Sequence, residues 1–199
     1  MRKILIATLA LLSGCINFAP APSHVVVEDM PESRRIAKQA NASAIACMKA
    51  GELENALVYI KAALESDEKY GPAYNTLGIY YLSKSPQELA NAAKSFHTAS
   101  SLMEDKTVPL YHLGNTWELK GAWEKAIAEY DKVLARKSDH HPSYSCKARA
   151  RIKLKKYDTY TLEMLKRIQI SDPRKDWQNW AKIEAINLKA KLQTQSNEF

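Results

Sequence analysis

The chain has 199 residues, 46% hydrophobic and 26% charged, and a formal net charge of +7. That length can bury one substantial core, and the balance suits a soluble globular or solenoid protein. Its opening apolar run, residues 4–12, is far shorter than the ~30 Å hydrocarbon core requires, which argues against a transmembrane helix there.

Met1, Arg2 and Lys3 give a positive start, the apolar run follows, and Leu12-Ser13-Gly14-Cys15 closes it. The tetrapeptide resembles the bacterial lipobox. The resemblance implies that residues 1–14 are a lipoprotein signal peptide and that the Cys15 thiol is lipidated, with palmitate-type acyl chains holding the protein on a membrane at ~0.8 kcal/mol per buried CH₂. Ile16 rather than Asp after the cysteine implies the outer membrane, facing the periplasm. Residues 15–30 read as the lipidated cysteine and a flexible tether, in which Ala19-Pro20-Ala21-Pro22 is extended polyproline II. Residues 24–27 are a short β-prone segment without a clear partner. Pro31 suits the first position of the first helix.

From there the chain repeats. Ala44, Cys47, Gly51, Ala56, Ile60, Ala63 and Leu64 set a register over residues 37–70. Residues 71–106 repeat it with Tyr74, Leu77, Gly78 and Tyr81, then Ala92, Phe96 and Ala99, displaced by two residues through an insertion around Ser83-Lys84-Ser85. Ser85-Pro86-Gln87-Glu88 reads as a capping box with Pro86 opening the helix. Residues 107–140 are the most regular: Leu113, Gly114 and Trp117 share one helix face, Gly121 ends that helix, and Ala126, Tyr130 and Val133 recur at i, i+4, i+7. Residues 141–173 follow more loosely with Tyr144, Ala148, Arg151, Leu165 and Ile168. Pro72, Pro109 and Pro142 each open a first helix. Asp172-Pro173 starts a last helix, residues 173–193, that caps the stack with Trp177 and Trp180 expected to be mostly buried. Residues 194–199 are a tail.

Small residues opposite aromatics at a period near 34 resemble the tetratricopeptide repeat (TPR). That resemblance implies an all-α fold: a right-handed superhelical solenoid of about four helix pairs, residues 31–193, with the C-terminal capping helix. A single pair cannot bury its apolar face, so the pairs must stack.

Charge is divided unevenly. Residues 15–140 hold 14 Lys/Arg and 16 Asp/Glu, whereas residues 141–199 hold 13 and 6. Lys147, Arg151 and Lys155, at i, i+4 spacing, are expected to form a basic surface that meets an anionic contact or keeps the chain soluble. Nucleic acid is a poor partner for an exported protein. No phosphate loop, nucleophile elbow or zinc-binding His-Glu motif is present, so no catalytic residue, cofactor or metal site is assigned. His140 and His141 read as turn residues, and His97 and His112 as packing or surface residues. Cys47 and Cys146 fall about three repeats apart, too far for a disulfide.

In the resembled family the first helices line a concave groove that binds peptides. Mapped by register, it comprises Asn41 and Met48, then Asn75, Ile79 and Leu82, then Tyr111, Asn115 and Glu118, then Ser145, Arg149 and Ile152. Amides would hold partner backbone and apolar side chains would fill pockets. Ile45 and Tyr111 replace polar or basic residues of the chaperone-binding carboxylate clamp. Lipobox plus repeats resemble lipoproteins of type IV or tight-adherence pilus assembly, implying a membrane-anchored scaffold for an envelope machine such as a pilus or secretin. Adaptors for peptidoglycan hydrolases, and a binder of an anionic cell-wall ligand, are the alternatives.

Overall fold

A computed structural model describes residues 30–196. Cys15, the signal segment and nearly all of the tether lie outside the described residues, as does the end of the tail. Every regular element among the described residues is an α-helix: α1 (Glu32–Lys49), α2 (Leu53–Ser66), α3 (Gly71–Ser83), α4 (Leu89–Leu102), α5 (Thr107–Leu119), α6 (Trp123–Arg136), α7 (His141–Lys153), α8 (Thr159–Ser171) and α9 (Lys175–Ser196).

Helices pair in chain order, α1 with α2, α3 with α4, α5 with α6 and α7 with α8, and α9 closes on α8. The first helices α1, α3, α5 and α7 are taken together as the inner row; within it α1 contacts α3 and α5 contacts α7. The first helices are closed by Gly51 (φ 79°) and Gly121 (φ 71°), in the left-handed region where glycine carries no Cβ penalty. Lys155 (φ 54°) takes the same place after α7, which is why the fourth repeat looks degenerate.

Each second helix drives a triad spaced i, i+4, i+7 into the core: Ala56, Ile60 and Ala63; Ala92, Phe96 and Ala99; Ala126, Tyr130 and Val133; Thr161, Leu165 and Ile168. Opposite the large member stands a small residue of the first helix: Ala44, Gly78, Gly114 and Ala148, all buried. Burial of each large side chain is worth ~1.5–3 kcal/mol, so the triads carry much of the stacking energy. Thr161 keeps its hydroxyl satisfied, donating to the Lys156 carbonyl (2.9 Å) and accepting from Arg151 Nε (2.8 Å).

Three expectations about helix ends are corrected. Pro31 is the N-cap of α1 rather than its first residue. The capping box does not form: α4 starts at Leu89, Glu88 is its N-cap, and the Glu88 carboxylate is drawn to Lys84 and Asn91. Glu52, Glu88 and Ala122 share nearly the same N-cap backbone (φ −86°, −95°, −87°; ψ 68°, 68°, 67°), so the incoming loop sets these starts and no side chain caps them. The last helix begins at Lys175, because Asp172 is tied into a turn by the Arg174 N–H (3.0 Å). Trp177 and Trp180 are mostly covered, as expected of the cap, packed against the cluster of Ala148, Met164, Leu165, Ile168 and Leu188.

Candidate functional site

The inner row presents three matched positions per repeat, set by spacing from the small residue of each first helix. Three residues before it stand Asn41, Asn75, Tyr111 and Ser145. One residue after it stand Ile45, Ile79, Asn115 and Arg149, and four after it Met48, Leu82, Glu118 and Ile152. The expected groove residues hold matching register positions on the first helices but stand in unequal states.

Toward the N-terminal end the row is amide and aliphatic. Asn41 is buried and Asn75 half-buried, and the Oδ1 of each has no hydrogen-bond partner. Met48, Ile79 and Leu82 are half-buried beside them. Asn41 and Asn75 are placed one repeat apart on adjacent helices, ~8–10 Å between axes.

Toward the C-terminal end the row is aromatic and ionic. Tyr111 is half-buried, with its ring edge-on to His140 at 5.4 Å and tilted against Tyr130 at 6.2 Å, and burial raises its hydroxyl above the usual tyrosine range. Asn115 Oδ1 accepts from the Tyr130 hydroxyl at 2.7 Å, so its acceptor is spent on the core. Ser145 is buried and donates to Asp172 Oδ2 at 2.6 Å. Glu118 pairs with Arg149 across the third and fourth repeats through Oε2, while its Oε1 is buried without a partner. Desolvation pushes the Glu118 carboxyl up, and the Arg149 guanidinium pulls against it.

Arg149 also lies over the Trp177 ring at 5.0 Å, and Arg174 lies 5.0 Å from the same ring, so two guanidinium groups contact one indole. Trp180 meets Trp177 edge-on at 5.1 Å. A cavity of about 230 Å³ opens here, lined by Arg149, Asp176, Trp177 and Trp180. Asp176 and Trp180 were not legible as site residues in the sequence; the tryptophan spacing signalled only packing.

The expected basic surface does not assemble. Lys147 is 8% exposed, bonded to Asp131 (2.6 Å) and to the Tyr160 hydroxyl (2.9 Å). Arg151 pairs with Asp158 at 2.5 Å and stacks on Tyr160 at 4.7 Å. Lys155 lies beyond the end of α7 in the left-handed turn. The three therefore share no solvent face, and the first two bind α7 to its neighbours. His140, by contrast, takes the turn role read for it: its Nδ1 accepts from the Ser143 N–H at 3.3 Å, at the start of α7. His97 is exposed and His112 stacks on Phe96 at 5.2 Å. Cys47 and Cys146 are unpaired thiols.

Solved structures share this arrangement. A tetratricopeptide repeat protein from Parabacteroides merdae superposes with a TM-score of 0.65 at 17% identity, over 79% of this chain and 61% of that one. The nearly identical TPR-like repeats of a kinesin light chain from Podospora anserina give 0.61 at 16% identity, over 85% and 92%. The fold is a tetratricopeptide-repeat solenoid. No family model matches the chain. By sequence, 96 residues are 32% identical to mouse Superkiller complex protein 3 and 27% identical to Tetratricopeptide repeat protein 37 of Xenopus laevis; these residues are 48% of this chain and 6% of either relative. Solenoids of stacked helical repeats present an extended surface along their length.

Proposed function

We infer that the chain is a non-catalytic adaptor: a bacterial lipoprotein tethered through Cys15 to the periplasmic face of the outer membrane. Its inner helices hold a segment of a partner protein during assembly of an envelope machine such as a pilus or its secretin. One observation carries the binding face. Among the described residues the buried side-chain oxygens without a partner are Asn41 Oδ1, Asn75 Oδ1 and Glu118 Oε1, and all three sit on inner helices. An unmet buried acceptor costs ~1–3 kcal/mol. A bound segment that presents backbone N–H groups recovers it, while Met48, Ile79 and Leu82 take its apolar side chains.

The anchor and the address rest on the lipobox likeness of residues 12–15. An adaptor for peptidoglycan hydrolases would use the same face and differ only in partner. An anionic cell-wall ligand is the weaker alternative, because Lys147 and Arg151 are already engaged inside the protein.

A photo-crosslinking residue at Ile79 on α3, with Val58 on the outer side of α2 as control, tests the face in intact cells. Val58 is 63% exposed, so accessibility alone would favour it. Crosslinks from Ile79 to one envelope protein, identified by mass spectrometry, are expected, with none from Val58. Equal crosslinking at both positions would sink the adaptor reading. Incorporation of a fatty-acid analogue that persists in Cys15→Ser would remove the anchor.

A further inference from the structure

The cavity at the junction of α7 and α9 has a chemistry distinct from the rest of the row. Its walls are the two indoles of Trp177 and Trp180, and its polar groups are Arg149 and Asp176. The charges around it do not cancel pairwise. Arg149 is held by Glu118, and Arg174 by Asp172 through Nε (2.8 Å) and Nη2 (2.6 Å). The Lys175 ammonium is directed to Gln178 Oε1 at 3.3 Å. Asp176 lines the cavity, is exposed, and engages no hydrogen bond or ion pair. Behind Arg149, Glu118 retains one buried oxygen with no donor, on a side chain only 9% exposed. The site thus offers aromatic faces together with the exposed Asp176 carboxylate, and the two cations beside it are already neutralised.

That combination selects a cation with an apolar stem. Indole faces attract ammonium and guanidinium groups, most strongly where water is displaced. The stacking of Arg149 and Arg174 on Trp177 shows that this environment accommodates guanidinium. A lysine or arginine stem can lie along the exposed part of Trp180 while its head reaches Asp176. The cavity adjoins Arg149 of α7, so a segment that runs along the first helices as far as α7 would deliver a side chain to it.

We propose that this cavity is a subsite for a basic side chain, lysine or arginine, of a polypeptide bound along the inner helices. The proposal rests on the adaptor reading for the source of that side chain. Its test does not, because it uses a small probe in place of a partner.

The full chain, labelled with ¹⁵N, is titrated with Nα-acetyl-arginine methylamide while the Trp180 indole N–H is followed by NMR. Nα-acetyl-citrulline methylamide, a neutral near-isostere, is the comparison. The arginine probe should shift the Trp180 signal saturably, with the citrulline probe weaker by about tenfold, the loss expected when a charge-assisted contact is removed. Asp176→Asn, at an exposed position that leaves the core intact, should bring the two probes to similar affinity. Equal binding of the two probes to the wild type, or an arginine preference unchanged in Asp176→Asn, would overturn the proposal. So would saturable binding of chitotetraose with no response to arginine, which would make the indoles a sugar platform. Any of these results leaves the crosslinking outcome at Ile79 standing by itself.

Discussion

Gly114 and Tyr130 are in contact so close that a Cβ added to the glycine would lie 2.5 Å from Tyr130 Cε1. Gly78 and Phe96 repeat the relationship, again with 2.5 Å to Cε1. In each pair the absence of one methyl sets how closely inner and outer helices approach. Gly114→Ala should therefore destabilise by ~1–3 kcal/mol, the cost of overpacking a filled core. Adding Tyr130→Leu should recover part of that loss, since the clash is with the ring. Urea denaturation of the single and double variants checks both; a neutral Gly114→Ala would mean that the two helices can part without penalty.

The turn after α7 invites the opposite experiment. Lys155 holds φ 54° where Gly51 and Gly121 stand in the first and third repeats. A left-handed non-glycine residue costs ~1–2 kcal/mol, against ~0.5–1 kcal/mol for glycine's extra unfolded-state freedom. Lys155→Gly should thus gain ~0.5 kcal/mol, read as a higher denaturation midpoint. A loss of stability would show that the lysine side chain has a role beyond the turn.

Acid should loosen the third repeat through its histidines. Burial lowers the pKa of His112, which stacks on Phe96; it also lowers that of His140, helped by Lys137, while Asp139 pulls the other way. The unfolded chain then takes up these protons first. Their contribution is fully present above the ordinary value of 6.5 and is lost as pH falls through 6.5 toward the lower folded values. Protonated His140 also cannot accept from the Ser143 N–H. Stability measured from about pH 8 down to about pH 5 should fall, and His112→Phe should flatten the slope. Glu118 works in the other direction at lower pH, because its raised carboxyl is relieved by protonation. An unchanged slope in His112→Phe would remove that histidine as a cause.

Periodicity made the fold readable, because small and large residues recur at spacings that only a stacked helix pair explains. Gly51 and Gly121 marked helix ends for the same reason: positive φ restricts residue type. The states of the site residues were less readable. Spacing put Lys147 and Arg151 on one helix face but carried no information about what packs there, and Asp131 of α6 and Tyr160 of α8 turned that face inward. The capping box failed for a similar reason. Ser85 and Glu88 had the right separation, but the five-residue loop lets Lys84 capture the glutamate and delays α4 to Leu89. Asp176 gave no signal, since a lone carboxylate in a helix's first turn reads as dipole compensation.

The inner row and the lysines after α7 are rival surfaces for a partner. Tyr111 stands at the centre of the inner row on the most regular repeat, and aromatic anchors dominate interface energies, so Tyr111→Ala should weaken partner binding by ~2 kcal/mol. Because the ring also packs on Tyr130 and His140, the variant's melting temperature must be measured beside its affinity. Ile79→Glu on α3 supplies a second break in the same face, with less disturbance to the core. The charge arm cannot use Lys147 or Arg151, since removing either breaks an internal pair and confuses folding with binding. Replacement of the exposed Lys153, Lys155 and Lys156 by Gln is the clean counterpart. If the inner row recognises the partner, both groove variants should lose affinity to a similar extent at low and high salt. The triple Gln variant should then bind as the wild type does. Contact with an acidic partner through the lysines would instead fade as the Debye length shrinks below ~10 Å. Intact binding by folded Tyr111→Ala and Ile79→Glu proteins, beside a salt-sensitive loss in the triple variant, would move the interface from the inner helices to the turn between α7 and α8.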